Sequence, residues 1–307
     1  MTAWNLLPPA DPDTLRTLSE SLNQSALVCE LLARRGVVDY ETAHRFFRSG
    51  RYPLHDPFEM KGMKAAVERL AAAVRSRETI MVFGDYDVDG VCSVAILADF
   101  LETRGVKTVC YIPNRFTHGY GLNSDGIRQA REQNVSLIVT VDCGITGHEH
   151  ALEAAASGMD LIICDHHLPG ETLPEALAVL NPKQAACSYP YDELSGAGVV
   201  FKLVQALAAS LPPDPGSAGS SPAEISAELE SCLDLVALSI AADVVPVTGE
   251  NRTLMSMGLD RLNHSPRPGI AALMKEAKIE PGSLRSGDIA FSLAPRLNAT
   301  GRMGDAT

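Results

Sequence analysis

The sequence predicts an α/β protein with a mostly parallel sheet that is flanked by helices. Four short apolar runs each end directly in a polar cluster, and such continuous runs are typical of strands buried on both faces. Helical patterns separate the runs, which favours right-handed crossovers between parallel strands. Since ligands collect beyond the carboxyl ends of parallel strands, we expect the four polar clusters to meet in one crevice.

The strands and helices follow from the same patterns. The four strands are expected at residues 79–83, 108–112, 137–141 and 161–164, with a fifth at 178–180. Helices are expected between the first four strands, at 91–104, 123–133 and 147–157. Two more helical stretches are expected at 199–210 and 223–241. The segment 212–222 between them is rich in Pro, Gly and Ser, and we interpret it as a mobile loop with no catalytic duty.

Three regions are expected along the chain. Residues 1–77 form a helical N-terminal cap, because apolar residues recur at helical spacing near 27–32 and again near 63–74. Residues 78–245 hold the sheet and its helices. Residues 246–307 are interpreted as a helical continuation.

Charge and cysteine content restrict the classes of partner. The formal net charge is −12, from 26 basic and 38 acidic residues, which disfavours a general electrostatic grip on nucleic acid or anionic lipid. An anionic substrate would then be held locally, by metal ions or a few arginines. The seven cysteines include no CxxC pair and no zinc-site spacing, and neither a signal peptide nor a membrane span is evident. We therefore expect a reduced, cytoplasmic setting and no membrane partner.

An acidic D-x-D-x-D-G run at residues 85–90 follows the first predicted strand. It does not fit an EF-hand calcium loop, because its twelfth position is Ile96 instead of a bidentate glutamate and a strand precedes it. Two interpretations remain from spacing alone: an acidic turn that caps the next helix, or a divalent-cation site. Carboxylates this close repel one another, and Asp142 and Asp165 add to the local charge, so we favour the cation site.

His166 and His167 follow Asp165 at the end of the fourth predicted strand. Adjacent side chains point in different directions in an extended segment or turn, so we expect them not to share one metal ion. One imidazole would bind metal and the other would face the substrate. Carboxylates with one or two imidazoles suit Mn²⁺ or Mg²⁺ better than Zn²⁺, although Cys143 could bias the site toward zinc.

Further candidate residues follow the same strands and the later helices. Asn114 and Arg115 end the second predicted strand and His118 lies in a glycine-bearing loop, where arginine and backbone N–H groups are natural partners of phosphate. The Ser-Gly-Ala-Gly segment at 195–198 either cradles phosphate at a helix N-terminus or permits close packing. By spacing alone, Asp243 is interpreted as the end of an apolar helix more readily than as a ligand.

These motifs together resemble those of the DHH phosphoesterase superfamily and, within it, the RecJ-type exonucleases. The resemblance covers about residues 20–307 and keeps six motifs in order. They lie at residues 84–90, 114–121, 141–144, 165–167, 241–246 and 298–302. The Asp-His-His triplet alone would be a weak signal, whereas six ordered motifs are a specific one.

The resemblance implies a site with two Mn²⁺ or Mg²⁺ ions. The implied metal ligands are Asp87 for the first ion, Asp142 as the bridge, and Asp89, His166 and Asp243 for the second. Asp85 and His167 are implied to act in catalysis with Asp142, Asp85 by supporting the first ion and His167 by contacting the scissile phosphate. The implied substrate-binding residues are Asn114, Arg115, His118, Asn298 and Arg302.

The resemblance also implies an activity: a metal-dependent 5′ to 3′ exonuclease specific for single-stranded DNA, which releases 5′ mononucleotides in DNA repair and recombination. Two-metal hydrolysis of this kind needs no covalent protein nucleophile. Single-strand-binding protein and a RecQ-type helicase would be partners. Members of this group continue into a second domain, so residues 246–307 are expected to lead toward a missing C-terminal domain.

Two alternative functions are carried beside the exonuclease. One is a phosphodiesterase or phosphatase of the same superfamily that acts on small (oligo)nucleotides or pyrophosphate. The other is a non-catalytic replication scaffold, which the mutually repelling carboxylates argue against because a scaffold has no need to keep them.

Overall fold

The computed structural model describes residues 8–115, 119, 121–212 and 226–303, without the side chains of 51 and 300–303. The chain forms two compact units that meet in sequence between Tyr52 and Pro53. The sequence pattern predicts an N-terminal region that ends at residue 77. The helix at 63–76 instead belongs to the second unit, because its apolar face packs in that unit's core.

The first unit contains three short helices, α1 (Pro12–Leu22), α2 (Ala26–Ala33) and α3 (Tyr40–Phe47), followed by a 3₁₀ turn at Ser49–Arg51. Each helix begins at an N-cap whose side chain accepts a hydrogen bond from a backbone N–H of the first turn, at Asp11, Ser25 and Asp39. A small core of Leu18, Cys29, Leu32, Val37 and Ala43 holds the three helices together.

The second unit is built on a parallel sheet of five strands in the order β2-β1-β3-β4-β5. The strands are β1 (Ile80–Gly84), β2 (Thr108–Tyr111), β3 (Leu137–Val141), β4 (Asp160–Cys164) and β5 (Ala178–Leu180). The predicted fold class is therefore confirmed, and each predicted strand is present to within a residue or two. β1 and β3 are buried along their whole length, which is why their sequences are continuously apolar.

Helices cover both faces of the sheet, with 3₁₀ or π turns at Pro57–Glu59 and Ile289–Leu293. Those up to the end of the sheet are α4 (Met63–Ser76), α5 (Val88–Thr103), α6 (Ser124–Glu132) and α7 (His148–Ala156). Those after it are α8 (Gly196–Ser210), α9 (Ala227–Glu230), α10 (Leu233–Ala242), α11 (Gly249–His264), α12 (Pro268–Glu276), α13 (Ser286–Asp288) and α14 (Ala294–Met303). Most of the segment 212–222, interpreted as a loop, lies outside the described residues.

Alternate side chains of β1 pack into two separate hydrophobic cores. Ile80 and Val82 point into the larger core with α4, α5, α8 and α10, whereas Met81 and Phe83 point into the smaller core with α6 and α7. The sheet therefore lies between two helical layers. No helix in the described part of the chain is long and apolar enough to cross a membrane.

Candidate metal centre

The candidate site lies where the chain reverses direction across the sheet. β1 is followed by its neighbour β2 on one side and then by β3 on the other, so the carboxyl ends of β1 and β3 flank the point where an open α/β sheet binds its ligands. Asp85 directly follows β1, Asp142 directly follows β3 and Asp165 directly follows β4. All three carboxyl groups are buried.

The loop after β1 holds its aspartates through the start of α5. Asp87 is the N-cap of α5, and its Oδ1 accepts a hydrogen bond of 3.0 Å from the N–H of Gly90. A side chain at Gly90 would lie 2.5 Å from the carbonyl oxygen of Asp85, so this tight turn requires glycine. The capping interpretation of the acidic run is thus correct for Asp87, and it does not exclude the cation site, because a capping carboxylate keeps its second oxygen.

Asp142 occupies the centre of the cluster. Its backbone is left-handed, with φ of +59°, directly after the last residue of β3, a conformation that aspartate tolerates better than most residues. The carboxylate packs against the first residue of α8, where a Cβ on Gly196 would lie 2.5 Å from Asp142 Oδ1. Gly196 therefore leaves the space that the carboxylate fills.

His166 brings three carboxylates together. Its Nε2 is 3.1 Å from Asp142 Oδ1 and 3.7 Å from both Asp89 Oδ2 and Asp243 Oδ2. The contact with Asp142 is short but lacks hydrogen-bond geometry, and among the described residues neither ring nitrogen of His166 has a hydrogen-bond partner. Burial lowers the pKa of His166, which favours the neutral imidazole that a metal ion binds.

His167 is oriented by Asp165. Its Nδ1 lies 2.7 Å from Asp165 Oδ1, and this hydrogen bond raises the pKa of His167 although burial opposes the shift. Burial acts to raise the pKa of Asp165, but the hydrogen bonds from His167 and Ile145 and the charge of His167 lower it overall. Both oxygens of Asp165 accept hydrogen bonds within this network, so Asp165 orients the histidine.

The two adjacent histidines were expected to point apart, but their rings lie close together. Their ring centroids are 4.5 Å apart, and one nitrogen from each lies with an Asp142 oxygen in a group whose atoms are within 4.8 Å of one another. The reason is local: the N–H groups of both histidines donate to the same Asp165 oxygen, so the chain bends and both rings project toward Asp142.

Three overlapping groups in the described residues have the spacing of metal ligands. They are Asp85, Asp87 and Asp142; Asp89, His166 and Asp243; and Asp142, His166 and His167. Asp142 belongs to two groups, and so does His166. The arrangement has the donor chemistry for hard divalent cations, since carboxylate oxygens outnumber imidazoles and no described cysteine belongs to any group.

Burial and the repulsion between neighbouring carboxylates raise the pKa of several acidic groups at this site. Burial, reinforced by the neighbouring charge of Asp87, raises the pKa of Asp85 to about 7. Burial and the charges of Asp89 and Asp87 likewise raise the pKa of Asp243 to about 7. Burial also raises the pKa of Asp142 well above its ordinary value. A divalent cation would reverse these shifts, because it stabilises the ionised form of every carboxylate around it.

The residues predicted to contact phosphate differ in exposure and in hydrogen bonding. Arg115 is exposed, and its guanidinium lies 5.3 Å from the ring centroid of Tyr86. Tyr86 lies between Asp85 and Asp87, and the sequence pattern assigns it no role. Asn114 is half-buried beside it. Asn298, on α14, uses its side-chain oxygen to accept a 3.0 Å hydrogen bond from the N–H of Val88, so it holds the start of α5. His118 and the side chain of Arg302 lie outside the described residues.

The glycine-bearing segment before α8 binds a carboxylate of the chain itself. The N–H groups of Gly196 and Ala197 donate to Asp89 at 2.8 Å each. Both backbone donors are therefore occupied without an external phosphate, and Gly196 also serves the close packing that was the other interpretation. The position of a residue relative to a strand end does not predict this hydrogen bond, because Asp89 and Gly196 are far apart in sequence.

Comparison with known proteins gives one family and several relatives. Residues 79–240 match the DHH family, N-terminal domain. The chain is 40% identical over 303 residues to the single-stranded-DNA-specific exonuclease RecJ of Bacillus subtilis, covering 99% of this chain and 36% of that relative. The crystal structure of RecJ in complex with Mn²⁺ from Thermus thermophilus is 29% identical, with a TM-score of 0.78 over 97% of this chain and 40% of that chain.

A second crystal structure, RecJ in complex with Mg²⁺ from the same organism, is 26% identical with a TM-score of 0.67, covering 97% of this chain and 37% of that one. The chain thus spans less than half the length of these relatives. The family match alone includes more than half of the chain, and it contains the sheet and all but one of the residues in the three candidate ligand groups. The chain belongs to the DHH family.

Proposed function

We propose that this chain is the catalytic part of a metal-dependent exonuclease that hydrolyses single-stranded DNA from the 5′ end and releases 5′ mononucleotides. The observation that carries the proposal is the convergence of three carboxylate- and imidazole-based ligand groups on the switch point of the sheet. The Bacillus subtilis relative, a single-stranded-DNA-specific exonuclease, aligns with 99% of this chain at 40% identity. Roles in DNA repair and recombination belong to the same proposal.

The donor set supports two Mn²⁺ or Mg²⁺ ions. One would be held by Asp85, Asp87 and Asp142, and the other by Asp89, Asp142, His166 and Asp243. Buried atoms that lack hydrogen-bond partners among the described residues, Asp85 Oδ1 and both nitrogens of His166, fit ligands that a cation would satisfy. Such ions supply Lewis-acid chemistry: they activate water and neutralise charge on the attacking and leaving oxygens.

The remaining residues bind and orient the substrate. His167 is half-exposed, and because its Nδ1 is held by Asp165, its Nε2 is the nitrogen that would contact a phosphate oxygen. Its raised pKa favours the protonated ring, which can donate a charge-assisted hydrogen bond. Arg115 stands at the rim over Tyr86 and would pair with a phosphate of the strand. Asn114, His118, Asn298 and Arg302 complete the proposed substrate contacts, Asn298 indirectly by holding the loop of Asp87 and Asp89.

The negative net charge of the chain is consistent with a substrate that is held by local contacts. With a net charge of −12, long-range attraction to DNA is weak, so binding depends on the metal ions and a few local contacts. Because this chain covers only 36% of the Bacillus subtilis relative, we propose that residues 246–307 lead toward further DNA-binding structure. Single-strand-binding protein and a RecQ-type helicase are the proposed partners, in the cytoplasm.

The test is nucleotide release with Mn²⁺ from four substrates: 5′-labelled single-stranded DNA, duplex DNA, pyrophosphate and a cyclic dinucleotide. Asp142→Ala is the inactive control, and circular dichroism verifies that it remains folded. We expect labelled mononucleotides from single strands alone, at the earliest time points, and none from the variant.

Other outcomes separate the alternatives. Release of label as a longer fragment would reverse the proposed polarity or indicate an endonuclease. Cleavage of pyrophosphate or the cyclic dinucleotide would instead assign the chain to small-substrate phosphodiesterases or phosphatases of the same family. Inactivity on all four substrates, in a chain that is folded and binds Mn²⁺, would contradict the catalytic proposal for this chain and favour the scaffold.

A further inference from the structure

Three hydrogen-bond donors hold the carboxylate of Asp89. Its Oδ1 accepts hydrogen bonds from the N–H of Ala197 at 2.8 Å and from the hydroxyl of Ser239 at 2.7 Å. Its Oδ2 accepts one, from the N–H of Gly196 at 2.8 Å. Asp89, Ser195 and Ser239 are all buried. No sequence motif drew attention to Ser239, which lies within the apolar helix α10.

The hydrogens in this network can be assigned by counting donors. Ser239 Oγ is 2.6 Å from Ser195 Oγ, and Ser195 Oγ accepts from the N–H of Gly198 at 3.1 Å. A serine hydroxyl has one hydrogen, and an ionised carboxylate can only accept. The hydroxyl of Ser239 therefore has two acceptors within reach, Asp89 Oδ1 and Ser195 Oγ, and it donates its one hydrogen to the ionised carboxylate, which is the stronger acceptor.

The same count decides which oxygen of Asp89 is open to a cation. Each carboxylate oxygen has about two acceptor positions, so Oδ1 is filled by its two donors. Oδ2 has one position left, and it is the oxygen that faces His166, with Nε2 at 3.7 Å. A cation held by Asp89 and His166 would therefore contact Asp89 through Oδ2 alone.

Ser239 also connects Asp89 to a second proposed ligand. It lies one turn before Asp243, and its carbonyl accepts a 2.9 Å hydrogen bond from the N–H of Asp243. Through its side chain it touches α5, and through its backbone it sets the end of α10. One residue thus fixes the separation between two carboxylates that come from distant parts of the chain.

We propose that Ser239 is a positioning residue that locks Asp89 in a one-oxygen mode of metal binding. This inference rests on the proposed metal site and adds how that site selects its ion. Ca²⁺ readily accepts both oxygens of a carboxylate, whereas Mg²⁺ demands a compact octahedral site. Holding Oδ1 away from the ion therefore favours the smaller cations.

The experiment measures metal binding directly in the full chain. Free Mn²⁺ is followed by electron paramagnetic resonance during titration, and Ca²⁺ is then added as competitor. We compare the unmodified chain with Ser239→Ala and with Ser93→Ala. Ser93 is a matched control because it is buried on the same helix as Asp89, and its hydroxyl has no hydrogen-bond partner among the described residues.

We expect Ser239→Ala to weaken Mn²⁺ binding about 10- to 100-fold, as is typical when a partner of a metal ligand is removed. Ca²⁺ should compete better than before, because Oδ1 becomes available. Ser93→Ala should bind both ions as the unmodified chain does.

Several results would overturn the assignment. Unchanged Mn²⁺ affinity in Ser239→Ala would do so, and so would an equal loss for both ions, since that indicates general damage to the fold. If Ser239→Ala does not fold, Ser239→Cys is used, because a thiol of similar size is a weak donor and predicts the same shift toward Ca²⁺. If the unmodified chain binds no Mn²⁺, the proposed function fails first and this inference fails with it.

Discussion

Replacing Gly196 by alanine tests whether the space beside Asp142 is as tight as the structure indicates. The new Cβ would lie 2.5 Å from Asp142 Oδ1 and 2.7 Å from both Cβ and Cγ of Asp142. Non-bonded carbon atoms normally approach to about 3.5–4.0 Å, so one group must move by about 1 Å. Asp142 is buried and its N–H is bonded to the carbonyl of Cys164 at 2.9 Å, which leaves it little room to move.

Two opposing effects set the magnitude. Extra atoms in a well-packed site cost about 1–3 kcal/mol, whereas exchanging glycine for alanine at an unstrained helical position stabilises by about 0.4–1 kcal/mol. We therefore expect Gly196→Ala to destabilise the fold by about 1–2 kcal/mol, or about 2–8 °C in Tm for a unit of this size. If Asp142 has its proposed role, a displacement of about 1 Å at this carboxylate should also reduce activity about 100-fold.

The assay has a built-in control of opposite sign. Gly269 lies in the first turn of α12 and has no atom within 4 Å of the position that a Cβ would take. Gly269→Ala should therefore raise the stability by about 0.4–1 kcal/mol and leave nuclease activity unchanged. Thermal melting in EDTA and nucleotide release from single-stranded DNA are measured for both variants. A Gly196→Ala protein that is as stable and as active as the unmodified chain would refute the packing argument.

Three further predictions follow from the charges. In EDTA, the free energy of unfolding should fall as the pH rises from about 4 to about 7, because folded Asp85 and Asp243, with pKa raised to about 7, bind protons that unfolded carboxyls release near 3.8. Urea titrations across this range check it, and Asp85→Asn should flatten the slope; an unchanged slope would contradict the assignment. Asp142→Asn should raise the Tm in EDTA at neutral pH, because it removes a buried carboxyl whose raised pKa makes the folded chain take up a proton, while abolishing the increase in Tm that Mn²⁺ gives. A lower Tm in EDTA would contradict this. Away from the site, Lys202→Met should cost about 3–5 kcal/mol in urea unfolding, because it leaves Glu250 charged and buried without its 3.1 Å partner. Lys64→Met, at an exposed pair 3.9 Å from Glu68, should change the stability by less than about 1 kcal/mol, and equal effects of the two would count against a buried ion pair.

Local pattern determined the parts of this protein whose cause is local. Strands buried on both faces are continuous apolar runs in the sequence, and a parallel sheet places their carboxyl ends at one edge. Those two facts were enough to predict the sheet and to collect Asp85, Asp142 and the histidine pair at one crevice. Motif order added Asp243, which spacing alone could not distinguish from an ordinary helix end, because one carboxylate after an apolar helix is common.

Only the tertiary structure decided how each side chain is held. That His166 and His167 converge depends on a bend formed by Asp165, which no periodicity reveals. That the glycines before α8 bind Asp89 instead of an external phosphate depends on contacts between residues about a hundred positions apart. Ser239 is invisible in the sequence, since a serine in an apolar helix has no local signature. Periodicity records which face of an element is buried, whereas hydrogen-bond partners are fixed only when elements pack; the sequence pattern therefore located the site, and the packing determined which oxygen of each carboxylate remains open in it.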